Sequence, residues 1–262
     1  LENGIVNFIG DADKRIKEDY LRILRYLRFF SDYSKQPHKL EIIRSLKINI
    51  GGISKLSKER LLDELKKISN INTIEKIAKD KFSLDLILMI FPELKNLKIF
   101  SKLNINDKKL LKEKDFIFLL SLMIIDDTDN TEYFLYKFNI SNKDKERIRI
   151  INEFYKKNIT LKTFTENNMN KIFYFNGKQA VLDILDYRII KSKKLDHSLK
   201  ELRKHYENSK IPVMPVTADL IMKKYKISEG KYLGEKLRMI EGEWVKNNFS
   251  ISTDQVDKII NS

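Results

Sequence analysis

The sequence predicts an all-α fold, and three observations carry that prediction. Glycine and proline are scarce, at 8 and 4 of 262 residues, so few positions interrupt a helix. Apolar residues recur at three- and four-residue steps through most of the chain, which is helical periodicity. Capping residues stand where that periodicity starts: Ser57 before Leu61, Leu62, Leu65 and Ile68; Ser141 before Ile148 and Ile151; Thr217 before Leu220 and Ile221. Ser252 with Gln255 has the spacing of a capping box. With 42% hydrophobic residues the chain can bury a sizeable core, and its length allows one to three domains.

Taken from the N-terminus, the first element departs from the helical pattern. Gly4–Gly10 is a brief apolar run between glycines and reads as a strand. A lone strand needs a sheet, so the expectation is that its partners lie upstream of Leu1 and that the chain is truncated. The segment Ile9–Phe29 then reads as a turn at Gly10–Asp13 followed by one helix. At about 100° per residue, Ile16, Tyr20, Ile23, Leu24, Leu27 and Phe30 share an arc that would be buried. Further breaks are expected at the Gly51-Gly52 turn, at Asp126–Asn130 and at Pro212–Pro215. The apolar run Phe116–Ile125 is about half of the roughly 20 residues a bilayer-crossing helix needs, and reads as a buried helix. No secretory leader is recognisable, so the expected location is the cytoplasm and no membrane contact is expected.

Cysteine is absent, which removes disulfides, thiolate metal sites and a Cys nucleophile. His38, His197 and His205 belong to no spaced ligand motif and read as surface or satisfied core residues. The net charge of +14 points to a polyanionic partner, bound by phosphate neutralisation and weakened by salt; solvated lysine-rich helix faces would give the same composition.

The informative constellation is Arg15, Glu18, Asp19 and Arg22, which a continuous helix would gather on a second arc. Glu18 and Arg22, at i and i+4, are in the order that lets the carboxylate orient the guanidinium, leaving Asp19 free. An acceptor beside a donor matches the edge shared by cytosine and adenine, an amine next to an unprotonated ring nitrogen. Taken alone, Glu-Asp-x-x-Arg on a helix is a weak signal, and a solvated ion pair is its commoner explanation.

The surrounding string IGDADKRIKEDYLRILRYLRF resembles the head-to-neck junction of class II tRNA nucleotidyltransferases, the CCA-adding enzymes and their bacterial poly(A) polymerase relatives. That resemblance implies that Asp19 and Arg22 read the base, that Glu18 orients Arg22, and that Arg15 and Arg25 contact phosphate. SKLSKERLLDELKK, with Ser57, Glu59, Arg60 and Glu64, looks like the neck element that supports the base-reading helix. VMPVTADLIMKKYKISEGKYLGEKLRMIEGEW resembles the family tail through Pro215, Thr217, Asp219, Leu220, Gly230 and Gly234. It implies tRNA backbone contacts by Lys223, Lys224, Lys226 and Lys231. Two positions depart from the family pattern: Asn7 stands where an Arg is usual, and Ala218 where a Gly follows the Thr.

The implied architecture is an elongated array: a head remnant at 1–14 carrying the short strand, a neck at 15–75, a body at 76–175 and a tail at 176–262. The implied function is nucleotide selection and tRNA binding in CCA addition from CTP and ATP; a poly(A) polymerase fragment or a non-catalytic tRNA-binding module are the alternatives. Nucleotidyl transfer needs metal-holding carboxylates. The family takes these, with Mg2+, from a strand-rich head. Asp11 and Asp13 read as turn or capping residues, and Asp126, Asp127 and Asp129 as a solvated loop, since neither group follows a Gly-Ser turn into a strand. The expectation is a chain that holds no metal itself and is inactive without a head domain, separated from it by truncation or by a split gene.

Overall fold

Side-chain caps set many of the helix boundaries. A computed structural model of the chain describes residues 4–156, 163–192 and 196–262. Sixteen α-helices and no strands occur among the described residues, and the chain divides into two compact units, 1–156 and 157–262. Ser57 accepts from the Arg60 N–H, Ser141 from Asp144 and Thr217 from Leu220, each at a helix start expected from the sequence. The Ser252–Gln255 capping box is formed in both directions.

In the first unit, α1 (Ala12–Glu18) packs on α3 (Leu40–Asn49). Helix α2 (Arg22–Tyr33) lies against α4 (Lys58–Ile68) and α5 (Ile71–Lys79). Ile16, Ile23, Leu24 and Leu27 are fully buried, so the apolar arc read from the sequence faces the core, joined there by Leu65, Ile68, Ile74 and Ile77. Each such side chain contributes about 1.5–3 kcal/mol by burial. The unit continues through α6 (Lys81–Ile90), α7 (Ile105–Lys112), α8 (Phe116–Ile124), α9 (Asn130–Lys137) and α10 (Asn142–Lys156). Helix α8 packs on α10 with Phe118, Leu120, Leu122, Met123 and Ile124 fully buried, as its all-round apolar sequence requires.

Helices α11 (Glu166–Asn176), α12 (Lys178–Lys191) and α13 (His197–Asn208) open the second unit, followed by α14 (Ala218–Tyr225), α15 (Lys231–Lys246) and α16 (Thr253–Asn261). Ile221, Leu233, Ile240, Val256 and Ile260 form the core beneath the last three. Lys236 is buried there and donates to the Ile259 carbonyl at 2.7 Å, satisfying an acceptor that the end of α16 leaves open.

Two local expectations are corrected. Gly4–Gly10 is irregular, and it is tied to the unit through the Gly4 carbonyl, which accepts from the Lys35 N–H at 2.9 Å and the Ser34 hydroxyl. No ladder partner is at hand to make it a strand. Gly51-Gly52 does break the helical pattern, lying in the 3₁₀ turn Ile50–Lys55 between α3 and α4 within the first unit. The helix expected through Phe29 is two helices, broken at Asp19–Leu21. Asp126–Asn130 does separate α8 from α9, and Pro212–Pro215 lies in the extended connection between α13 and α14.

Candidate nucleotide and RNA site

The break between α1 and α2 builds the site. Asp11 caps α1, accepting from the Lys14 N–H at 2.7 Å, as read from the sequence, whereas Asp13 is no cap: it lies within α1, pairs with Lys17 and accepts from Asn49. At Asp19 the backbone turns extended, with φ −152° and ψ 104°. Its Oδ1 accepts the Leu21 N–H at 3.1 Å, a side-chain-to-backbone bond that competes with the helical one. Helix α2 restarts at Arg22, whose N–H donates to the Asp19 carbonyl at 3.0 Å.

The pairing of Glu18 with Arg22 forms across this junction instead of within one helix. Arg22 Nη1 donates to Glu18 Oε2 at 2.7 Å and to the Arg15 carbonyl at 2.6 Å. Arg15 Nη1 also donates to Glu18 Oε2 at 2.7 Å. The hydrogen bond from Arg22, opposed by burial and reinforced by Arg15, holds the Glu18 carboxyl below its usual range. Arg22 therefore ties the end of α1 to the start of α2, while its Nη2 and Nε make no hydrogen bond to a described residue.

Asp19 is not free, contrary to the expectation. Arg60 Nη2, from α4, lies 3.0 and 3.1 Å from its two carboxylate oxygens, and Arg25 Nη1 lies 3.7 Å from Oδ2. Arg25 Nε is also 4.0 Å from Glu64 Oε2, and Arg28 Nε donates to Glu64 Oε1 at 2.7 Å. Glu64 is fully buried; Asp19 and Arg22 keep 22% and 26% of their side-chain surface, enough for a ligand to reach them. Arginines outnumber carboxylates along this chain of charges, which favours an anionic ligand.

Tyr20, inside the break, packs directly over Gly52: a Cβ there would lie 1.9 Å from the Tyr20 ring. Gly52 is thus a seat for the junction, a role that sequence reasoning missed although the glycine pair was visible. His38 is a satisfied core histidine. Its Nδ1 meets the Tyr26 hydroxyl at 2.9 Å, while Asp80 and Ser83 both approach Nε2, at 3.1 and 3.2 Å, so the three do not line up as a proton relay.

In the second unit, Lys223 and Lys224 occupy the last turn of α14, Lys226 is its left-handed cap at φ 55°, and Lys231 begins α15. All four are exposed. Lys224 pairs with Asp257 at 3.0 Å, and Lys231 is 3.9 Å from Glu235.

No family model matches the chain. Human mitochondrial CCA tRNA nucleotidyltransferase 1 is 29% identical over 270 residues, covering 98% of this chain and 58% of the relative. The CCA-adding enzyme of Staphylococcus haemolyticus is 25% identical, covering 98% and 64%. The chain is similar to CCA-adding enzymes along nearly its whole length. It spans about 58–64% of the length of these relatives. A zebrafish CCA tRNA nucleotidyltransferase 1 reaches 44% identity over 70 residues, 26% of the chain.

Solved CCA-adding enzymes share the fold. The Bacillus stearothermophilus enzyme in complex with CTP superposes with a TM-score of 0.65 at 15% identity, over 99% of this chain and 66% of that one. A CCA-adding enzyme with ATP gives 0.58 at 18%, over 99% and 63%. The junction residues that carry the sequence resemblance to CCA-adding enzymes, Glu18, Asp19 and Arg22, thus lie together at one helix break in a fold of that class.

The carboxylates here do not make a metal cradle, since Glu18 and Asp19 are each bonded by arginine. Among the described residues no group of three or more His, Cys, Asp or Glu side chains could hold a metal ion. No described helix is long and apolar enough to cross a membrane.

Proposed function

We propose that this chain selects the nucleotide and holds the tRNA in CCA addition, with Asp19 accepting from the exocyclic amine of cytosine or adenine and Arg22 donating to the adjacent ring nitrogen. The observation that carries this reading is the division of labour within Arg22. One terminal nitrogen is fixed by Glu18 and the Arg15 carbonyl, and the remaining donors are unbonded beside an aspartate that Arg60 orients. A base with the opposite donor order would leave both groups unpaired, which is what makes such a site discriminate.

Arg15 and Arg25 flank the pair and suit the triphosphate, and exposed Lys223, Lys224, Lys226 and Lys231 suit tRNA phosphates. The neck, body and tail division at 15–75, 76–175 and 176–262 belongs to the same proposal. Mg2+ would align the triphosphate and the attacking 3′ hydroxyl. Among the described residues no carboxylate group makes a cradle for it; this proposal places the metal-holding carboxylates outside these 262 residues and assigns no step of transfer to them.

The test supplies a catalytic head domain of a CCA-adding enzyme in trans, with magnesium, the four nucleoside triphosphates and a tRNA lacking its 3′ end. Incorporation of C and A is expected only when both parts are present. Arg22→Ala should lower discrimination of CTP and ATP against UTP and GTP by roughly 5- to 150-fold, the value of one bidentate base contact, with tRNA affinity retained. Collapse of tRNA affinity with base choice intact would overturn the assignment.

A further inference from the structure

Beyond the base-reading junction, α2 carries two exposed rings, Phe29 and Tyr33, that the proposed function leaves unused. Arg22, Arg25, Phe29 and Tyr33 recur at three- and four-residue steps and so share one face. Phe29 and Tyr33 keep 41% and 49% of their surface, large values for rings in a helix whose opposite face is wholly buried. They are not scattered. Their centroids lie 6.1 Å apart with planes 29° from parallel, and the Arg28 guanidinium sits 4.5 Å over the Phe29 ring. Cation, ring and ring make a short ladder that another flat π surface can extend.

We propose that Phe29 and Tyr33 form a stacking platform for unpaired nucleobases of a single-stranded RNA 3′ end, one that directs the strand toward the Asp19–Arg22 junction. This rests on the base-reading proposal for its direction, not for its chemistry. Three features select RNA bases over other occupants. Arg25 and Arg28 stand beside the rings and can neutralise backbone phosphates, while Glu64 is buried away from the surface. The one exposed carboxylate at this end of the helix, Asp32, is turned to Thr73, from whose hydroxyl it accepts at 2.6 Å. At about 1.5 Å rise per residue, Phe29 lies roughly 10 Å and Tyr33 roughly 16 Å along the axis from Arg22, the reach of two or three nucleotides. Stacking on aromatic rings tolerates any base, so the platform would hold a 3′ end without restricting its sequence, leaving base choice to the junction.

The test measures binding of the full chain, by fluorescence anisotropy at fixed salt, to one RNA hairpin that is either blunt or carries three unpaired 3′ nucleotides. The wild type should prefer the tailed hairpin. Tyr33→Leu and Phe29→Leu should each reduce that preference about fivefold or more while blunt-hairpin affinity stays within about twofold, and Tyr33→Phe should keep it. The proposal is overturned if the wild type does not distinguish the hairpins, or if both Leu variants melt like wild type and keep the full preference. An equal loss on both hairpins would also overturn it, as would loss of self-association in place of RNA discrimination, which would make the face a protein contact. Base choice in the Arg22→Ala experiment is read separately, so failure of the platform and failure of the junction are distinguishable.

Discussion

Glu64 is the fully buried carboxylate on which the arginines of α2 converge, and removing it is the sharpest test of how the junction is held. Its Oε1 accepts from Arg28 Nε at 2.7 Å, and its Oε2 faces Lys67 at 3.4 Å and Arg25 at 4.0 Å. Breaking a buried ion pair by deleting one partner costs about 3–5 kcal/mol, because the other charge is left unpaired in a poor solvent. Arg28 retains 21% of its side-chain surface, so partial rehydration softens the loss, and about 2–3 kcal/mol is expected for Glu64→Ala. At about 2–4 °C per kcal/mol for a domain of this size, the melting midpoint should fall by roughly 4–12 °C. The assay is thermal unfolding by circular dichroism of wild type, Glu64→Ala, Arg28→Leu and the double variant. Coupling in that cycle should be about 1 kcal/mol or more, since the two side chains are in direct contact. A Glu64→Ala midpoint within about 1 °C of wild type would refute the idea that this carboxylate anchors α2 to α4.

Other consequences follow from the same geometry. Gly52→Ala should destabilise the first unit by about 1–3 kcal/mol, measured by urea titration, because the new Cβ must displace the Tyr20 ring from 1.9 Å; an unchanged midpoint would show that the ring has room to move. Burial lowers the His38 pKa below 6.5, partly offset by Asp80, and the ring also contacts Tyr26. A base with a depressed folded pKa binds its proton more readily when unfolded, so its contribution is complete above about pH 6.5 and is lost as pH falls through the folded value. The midpoint should therefore drop on acidification from pH 7.5 to 5.5, and His38→Gln should flatten that dependence. Lys226 caps α14 at φ 55°, so Lys226→Gly should raise the stability of the second unit by about 0.5–1 kcal/mol while weakening tRNA binding and shallowing its salt dependence; a steeper salt dependence would contradict the tail assignment.

Helix content, caps and the buried face of α2 were legible in the sequence because each depends on residues within a turn or two of one another. The capping box at Ser252 and the cap at Thr217 are short-range hydrogen bonds, readable from identity and spacing. The break at Asp19 was not, for a specific reason: Ile16, Tyr20, Ile23 and Leu24 keep helical phase across it, so periodicity alone continues the helix. What stops it is one carboxylate oxygen outcompeting a backbone carbonyl for the Leu21 N–H. The partner of Asp19 was equally hidden, since Arg60 lies 41 residues away and no local pattern joins the two. The Gly4–Gly10 run shows the converse error, where apolar composition suggested a strand but pairing, which composition does not encode, is lacking.

The break also explains how an acceptor and a donor can sit next to each other without consuming one another. On a continuous helix Asp19 and Arg22, at i and i+3, would be neighbours within reach of pairing, and a base bound as proposed would have to compete with such a pair. Here each is committed to a third group instead: Arg22 through one nitrogen to Glu18 and the Arg15 carbonyl, Asp19 through α4 to Arg60. Both side chains are thus oriented before any ligand arrives, and each retains hydrogen-bonding capacity. Asp19 Oδ2 accepts a single hydrogen bond from Arg60, and a carboxylate oxygen can accept two. The energetic cost of holding two long or charged side chains in place falls on the fold, through Glu18, Arg60 and the buried Glu64 behind them, so under the proposed base reading it would not fall on the nucleotide.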